Sequence, residues 1–204
     1  MVVTISRQFG SRGHDIGSLL ARKRGIDFYD KELLELVSKE GGISSEVMER
    51  YDEKVTNSLL YSLSLGASAT ISSEYGKLPE TPVTEKLYLL EYDMIRRVAE
   101  KSCVIVGRCA DHVLAYRNDI LRVFVYGDME AKIQHIAWKY KLTPEKAASM
   151  IKKNDKSREN YYNNYASGKW GDPANYDLCL NSSYLGPDGT ADLIISCLRL
   201  KKLL

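Results

Sequence analysis

The feature that most constrains the fold lies at the start of the chain, where a short apolar run, a turn with two glycines and a helical stripe follow one another. Residues 2–5 are Val-Val-Thr-Ile, a β-branched run that predicts a buried strand. Gly10 and Gly13 punctuate the residues after it, and apolar residues then recur at helical spacing from Ile16 to about residue 24. A strand, a glycine turn and a helix in this order are typical of a phosphate-binding α/β unit.

The rest of the chain repeats the alternation of short apolar runs with helical patterns. Four further runs predict strands, at residues 25–29, 103–106, 120–126 and 176–180. Five short strands separated by helices predict an α/β three-layer sandwich with a five-stranded, mainly parallel sheet. Ligands of such sheets bind beyond the carboxyl ends of the strands, so we expect the site there.

Composition excludes several classes of function. The chain has 204 residues, 44% of them hydrophobic, which suits one domain. Its 29 basic and 27 acidic residues leave a net charge of +2, too small to indicate a nucleic-acid partner. No apolar run is long enough for a membrane span, and the four cysteines show no metal-ligand spacing. We therefore expect a soluble cytoplasmic protein without nucleic-acid or membrane partners; the sequence does not specify an oligomeric state.

The glycine turn at residues 6–15 has what a phosphate-binding loop requires. Its glycines allow the backbone N–H groups to turn inward, and the helix that follows directs its N-terminus at a bound anion. The loop does not match the GxxxxGK[ST] pattern, nor the dinucleotide pattern GxGxxG. The candidate phosphate-binding residues are Phe9, Gly10, Ser11, Arg12, Gly13, His14, Asp15 and Ile16.

Motifs that keep their order over nearly the whole chain resemble the cytidylate kinase-like family. The most specific are Ile-Ser-Arg-Gln-Phe-Gly at residues 5–10, Gly-Arg-Cys-Ala-Asp at residues 107–111, and the block at residues 155–178. The resemblance implies a P-loop kinase fold of the nucleoside-monophosphate-kinase type. It also implies ATP and Mg²⁺, and transfer of the γ-phosphoryl group to a nucleoside monophosphate, CMP being one candidate, or to another small acceptor.

The same resemblance predicts how one domain is organised. The core comprises residues 1–40 and 85–204, a helical substrate-binding insertion covers about 41–84, and a lid covers about 143–175. Within the insertion, residues 52–84 are rich in serine and small side chains, which suits either a substrate-covering segment or an irregular surface connection.

One departure from true cytidylate kinases concerns the chemistry of the loop. Gly13 stands where their loop has a lysine that neutralises the β- and γ-phosphates, and Asp15 stands where they have a magnesium-binding threonine. Arg12 could supply the missing charge. Asp15 could hold Mg²⁺, or its carboxylate could repel a phosphate. The alternative function is therefore a nucleotide-binding protein with impaired or no catalysis.

The resemblance assigns further site residues. Arg108 is predicted to contact the monophosphate, the alternative being a surface arginine, and Asp30 to contact the acceptor or to cap a helix. The basic segment at residues 152–158 predicts the lid, with Arg158 as the first catalytic candidate and Lys153 as the second; the alternative is a solvated helix face. Asp155 of this segment is assigned to substrate binding.

Two groups of ring side chains have simpler interpretations. Aromatic residues follow the basic segment and are predicted to anchor the lid through buried apolar area: Tyr161, Tyr162, Tyr165 and Trp170. His112 and His135 are predicted to lie on the surface.

Overall fold

The structure is a computed structural model that describes residues 1–41 and 83–203. Five strands form one sheet: β1 (Val2–Arg7), β2 (Asp27–Tyr29), β3 (Cys103–Val106), β4 (Ile120–Tyr126) and β5 (Leu178–Asn181). The helices of the described residues are α1 (Gly13–Arg24), α2 (Lys31–Gly41), α3 (Val83–Val98), α4 (Ala110–Val113), α5 (Met129–Tyr140), α6 (Pro144–Tyr165) and α7 (Ser182–Leu200), and a 3₁₀ turn covers Pro173–Asn175. Nearly all of the predicted insertion lies outside the described residues.

The sheet is parallel throughout, in the order β2-β3-β1-β4-β5. This confirms the prediction of a five-stranded, mainly parallel α/β fold. The first strand of the chain lies at the centre, so the loop that follows β1 emerges in the middle of the carboxyl edge. Its neighbours β3 and β4 deliver residues 107–109 and 127–128 to the same edge.

Alternating side chains of the strands build a core on each face of the sheet. On one face, Val3 and Ile5 pack with α1 and α7; on the other, Val2 and Ile105 pack with α2, α3 and α4. This alternation is the period of two that a pleated strand imposes. Because both faces are covered by helices, the central strands are buried at every position.

Several element boundaries differ from the sequence prediction, among them the starts of the second strand and of the final helix. The second strand begins at Asp27 rather than residue 25, because Gly25 adopts a φ of +64° and closes α1 with its N–H group directed at the last carbonyls. The sequence pattern predicts the final helix over residues 188–203; it begins six residues earlier, at Ser182, and is kinked at Gly186 (φ +65°) just before Pro187. The residues Thr-Pro-Glu at 143–145 predict a helix start, and α6 begins there: the Thr143 hydroxyl accepts a hydrogen bond from the Lys146 N–H group at 3.4 Å.

Within residues 1–41 and 83–203, no helix combines the length and the apolar character that crossing a membrane demands.

Candidate functional site

A cavity of about 450 Å³ opens at the carboxyl edge of the sheet, between the loop after β1 and helix α6. The loop and the start of α1 form its floor, α5 forms one wall, and α6 covers it. Its lining comprises Arg7, Gln8, Phe9, Gly10, Arg12, Gly13, His14, Asp15, Asp30, Lys31, His135, Ile136, Lys139, Tyr140, Asn154, Ser157 and Arg158. Basic side chains therefore surround the place where the sequence predicts a phosphate.

The loop has the backbone conformation of an anion cradle. Gly10 and Arg12 both lie in the left-handed region, with φ of +84° and +61°, and α1 begins at Gly13. The N–H groups of a helix's first turn have no carbonyl partner within the helix, and the residues that carry them here, Gly13, His14 and Asp15, line the cavity. Of the eight predicted phosphate-binding residues, six line the cavity. Ser11 and Ile16 are buried beneath it, and Ile16 belongs to the core.

The underside of the loop is fixed by a buried ion pair. Lys132 of α5 is 3% exposed, and its Nζ atom lies 2.9 Å from the Gln8 Oε1 atom and 3.3 Å from the Asp155 Oδ2 atom. The other oxygen of Asp155 accepts a hydrogen bond from the Phe9 N–H group at 2.5 Å. Both oxygens of Asp155 thus hold the loop, and the residue lies outside the cavity lining. Asp155 is predicted to contact the substrate; in this structure it contacts the loop.

Asp30, directly after β2, is the centre of a charged cluster at the cavity wall. Its Oδ2 atom lies 2.6 Å from the His14 Nδ1 atom. Its Oδ1 atom lies 3.7 Å from Arg7 and 3.4 Å from Arg108. The carboxylate therefore binds three basic side chains at once instead of acting only as a helix cap.

The protonation of the cluster follows from these contacts. Burial opposes ionisation of Asp30, but the hydrogen bond with His14 and the charges of Arg7 and Arg108 outweigh it and hold the pKa of Asp30 well below its usual value. The hydrogen bond to Asp30 raises the pKa of His14 above 6.5, against the opposing effect of partial burial. A charged His14 beside an ionised Asp30 is thereby favoured.

Arg108 lies behind this cluster, outside the cavity lining. Its side chain is 1% exposed, its Nη1 atom donates to the Val106 carbonyl oxygen at 3.2 Å, and its Nε atom lies 3.8 Å from Glu91 of α3. The predicted contact of Arg108 with the monophosphate stays a prediction: in this structure Asp30 and Glu91 hold the guanidinium between them. Its φ of +53°, rare for a residue other than glycine, turns the chain back at the end of β3.

Helix α6 faces the cavity with one side only. Asn154, Ser157 and Arg158, spaced by three and four residues, line it. The Arg158 Nη1 atom donates to the Arg7 carbonyl oxygen at 3.1 Å, and its guanidinium lies 5.6 Å from the centre of the Phe9 ring. Lys153 is exposed and does not line the cavity. The structure thus brings Arg158 to the predicted loop and leaves Lys153 outside.

The aromatic residues at the end of α6 anchor it to the core, as predicted. Tyr161 and Tyr162 are 6% and 5% exposed and pack with Cys109. The Tyr161 hydroxyl donates to Glu91 at 2.7 Å, and the Tyr162 hydroxyl donates to the buried Asp111 at 2.6 Å. The cover of the cavity is therefore fastened to α3 and α4 at its carboxyl end.

The acidic side chains of the cavity allow a simple test of the predicted metal. Among the described residues no three His, Cys, Asp or Glu side chains form a metal cluster. Mg²⁺ that arrives with a nucleotide requires only one or two protein carboxylates, because phosphates and water complete its shell. Asp15 lines the cavity and accepts a hydrogen bond from the Arg12 Nε atom at 3.0 Å, so it fits that role.

Arg7, Gln8 and Lys132 are among the residues of this site that sequence reasoning missed. Arg7 and Gln8 lie inside the recognised loop but were not singled out, and Lys132 is hidden in a helical pattern. Only the structure shows the link between Lys132 and the loop: a Cβ atom on Gly10 would lie 3.2 Å from the Lys132 Cβ atom. His135, predicted to lie on the surface, lines the cavity, and burial together with the charge of Arg12 lowers its pKa.

Comparison with known proteins places this geometry in context. A model of the cytidylate kinase-like family matches residues 2–184. A crystal structure of an uncharacterized protein from Eubacterium ventriosum is 27% identical, with a TM-score of 0.73 and 98% of both chains covered. No curated protein sequence matches the chain.

Two shikimate kinases show the same fold at low identity. The enzyme from Bacteroides thetaiotaomicron is 12% identical, with a TM-score of 0.55 and 98% of each chain covered. The enzyme from Acinetobacter baumannii, solved in complex with shikimate, is also 12% identical, with a TM-score of 0.52; the match covers 100% of this chain and 95% of that one.

Proposed function

The chain belongs to the cytidylate kinase-like family, and from that premise we propose that it is a phosphotransferase. The reaction is transfer of the γ-phosphoryl group of ATP to a nucleoside monophosphate, with CMP as the first candidate, or to another small acceptor. The observation that supports it best is the cavity in which the loop, the N-terminus of α1 and Arg158 converge. Helix N-termini and arginines are the groups that bind transferring phosphates.

The loop is assigned to the phosphates of ATP. The N–H groups at the start of α1 contact the β- and γ-phosphates, and Arg12 and Arg158 neutralise the charge that spreads over the transferring group. Asp15 would supply one carboxylate oxygen to a Mg²⁺ ion bound with the nucleotide, and that ion would offset charge on the phosphates. These groups act by position and charge, without a covalent intermediate on the protein.

Phosphoryl transfer to a phosphate acceptor requires no general base on the protein. A lone pair of the acceptor's phosphate oxygen forms a bond to the γ-phosphorus while the bond from that phosphorus to the bridging oxygen breaks. The electron pair of the broken bond remains on the β-phosphate of ADP. A dianionic monophosphate carries no proton at the attacking oxygen, so no proton needs to be removed.

Asp30 and His14 are assigned to the acceptor. Both line the cavity beside the loop, where a second ligand would lie next to the γ-phosphate. Arg108 lies behind Asp30 and does not line the cavity, so we assign it a positioning role through Asp30 and Glu91 rather than direct contact with the acceptor. Predicted contacts of Arg108 and Lys153 with the reacting phosphates are not part of this proposal.

The test is an ADP-release assay with MgATP and a panel of acceptors. The panel contains CMP, UMP, AMP, GMP and, because two proteins of this fold are shikimate kinases, shikimate. ADP release without acceptor is the blank for each measurement. Release that rises above the blank with one acceptor and saturates with its concentration is the expected result. Release at the level of the blank for every acceptor would contradict the proposal.

A second candidate function is nucleotide binding without transfer. It is favoured by Gly13, which removes the lysine expected at that position. Calorimetry separates the two functions: heat of ATP binding together with silence in the ADP-release assay would support the binding function. Binding accompanied by acceptor-dependent release would exclude it.

A further inference from the structure

Compared with the phosphate-loop pattern, this chain has exchanged the residue types at positions 7 and 13. When the lysine of GxxxxGK[ST] is laid on position 13, the first glycine of the pattern falls on position 7. The pattern therefore expects no side chain at 7 and a cationic side chain at 13. This chain has the cationic side chain at 7 and none at 13.

The structure gives a steric reason for the exchange. A Cβ atom built on Gly13 would lie 2.6 Å from the Arg7 Cβ atom and 2.9 Å from its Cγ atom, closer than such atoms approach in proteins. These are the root of the arginine side chain, which cannot move aside without its backbone. Gly13 is not among the residues with positive φ, so its backbone conformation does not require glycine. What requires glycine at 13 is the stem of Arg7.

The guanidinium of Arg7 lies where a phosphate-binding cation is needed. Arg7 ends the central strand, lines the cavity and is 9% exposed. Its Nη2 atom lies 3.7 Å from the Asp30 Oδ1 atom, while its carbonyl oxygen accepts the hydrogen bond from Arg158. The side chain thus passes over the start of α1 and is held between the loop and Asp30.

We propose that Arg7 supplies the charge that the loop lysine supplies elsewhere, by binding the terminal phosphates of the nucleoside triphosphate. The proposal rests on the phosphotransferase function for its effect on turnover, but its effect on triphosphate binding stands separately. An arginine suits the role, because its planar fork donates two hydrogen bonds to a phosphate and is charged at any physiological pH. Arg7 is then a direct phosphate contact rather than only a partner of Asp30.

The experiment compares Arg7→Gln, Gly13→Lys and the double variant Arg7→Gly/Gly13→Lys, with Arg24→Ala as the matched control. Arg24 is an exposed arginine at the far end of α1. We expect Arg7→Gln to lower turnover by about 10²–10³, and Gly13→Lys to lower it as well because of the clash. The double variant places glycine at 7 and lysine at 13, as the pattern has them, and keeps Arg12 where the pattern has its second glycine. We expect it to exceed both single variants by at least about tenfold. A double variant no better than the single ones, or an Arg7→Gln variant with wild-type turnover, would overturn the inference.

Binding of inorganic triphosphate, measured by calorimetry, separates this inference from the proposed function. If the wild type binds triphosphate but transfers no phosphoryl group, the proposed phosphotransferase function is wrong. The role of Arg7 is then tested by triphosphate affinity alone. Weaker binding in Arg7→Gln, with Arg24→Ala unchanged and Arg7→Lys intermediate, supports the inference. Equal affinity in Arg7→Gln and wild type overturns it, and a wild type that binds no triphosphate overturns both. Circular dichroism checks that each variant is folded. If Arg7→Gln is not folded, the turnover of Arg7→Lys is measured in its place.

Discussion

The Nδ1 atom of His14, at the start of α1, lies 2.6 Å from the Oδ2 atom of Asp30, directly after β2. The pair joins the phosphate-loop side of the cavity to the side assigned to the acceptor. Because the carboxylate is largely buried and the imidazole is half exposed, the charge of the pair depends on pH through His14.

This pair predicts a pH dependence of unfolding. The pKa of His14 is raised in the folded protein, so the stabilisation from its charged form is complete below about pH 6.5, the unfolded value, and is lost as the pH rises through the raised pKa. We expect the melting temperature of the wild type to exceed that of His14→Gln, and the difference to shrink as the pH rises above about 6.5. A difference that is constant or grows with pH would contradict the pairing.

NMR titration of His14 checks the same pair directly. The midpoint for the wild type should lie above that for Asp30→Asn, because the variant lacks the negative charge that favours imidazolium. His112→Gln, at a histidine outside the cavity lining, is the control for the melting experiment.

Arg158→Ala is predicted to lower turnover by about 10²–10³ without unfolding the protein. The variant removes the one cation of α6 that lines the cavity, together with its hydrogen bond to the Arg7 carbonyl oxygen. Lys156→Ala is the matched control on the same helix, because Lys156 is exposed and paired with Glu159. Steady-state ADP release with the best acceptor measures both variants; equal rates in the two would remove Arg158 from the mechanism.

Lys132→Met is predicted to destabilise the protein by about 3 kcal/mol. The substitution keeps most of the buried stem and removes the charge. Asp155 then lacks its cation, and the Gln8 Oε1 atom loses its shorter hydrogen bond and keeps the one from the Gly127 N–H group at 3.4 Å. Urea unfolding measures the loss. Lys152→Met, an exposed lysine of α6, should change the free energy of unfolding by less than about 0.5 kcal/mol. A loss of similar size in both variants would show that the ion pair does not hold the loop.

Tyr162→Phe is predicted to cost about 1–3 kcal/mol, the penalty for depriving a buried polar group of its partner. Burial raises the pKa of Asp111, and the hydrogen bond from Tyr162 opposes that rise. Because this hydrogen bond favours the ionised carboxylate, the loss should be at least as large at neutral pH as near pH 4. Urea unfolding at both pH values tests this, with Tyr184→Phe, an 86% exposed tyrosine, as the control.

The fold was predictable from local patterns because its strands are short runs rich in apolar residues, each ended by a glycine or a polar residue. The β1 loop and the cap of α6 at Thr143 are likewise written in adjacent residues. The position of the Arg108 side chain was not predictable from local patterns. It is set by Asp30 and Glu91, which lie 78 and 17 positions away along the chain. A residue at the end of a buried strand can point into a cleft or be held beneath it, and only the distant partners decide which.

Lys132 shows a second limit of local reasoning. A lysine in an amphipathic helix is ordinarily solvated, and its burial here depends on glycines at the ends of two other segments. Side chains at Gly10 or Gly127 would crowd the Lys132 stem, at 3.2 Å and 3.4 Å from its carbon atoms. Because Gly10 and Gly127 have no side chains, α5 can approach the loop closely. The sequence of α5 alone does not predict this approach.

The contacts of Asp155 with the Phe9 N–H group and with Lys132 affect the entropy cost of ligand binding. A flexible phosphate loop must lose conformational entropy when it closes around its ligand, and that loss weakens binding. Here the contacts that shape the loop are made by the protein with itself. The entropy of the loop is therefore lost during folding, and an arriving anion meets N–H groups that already have their final directions.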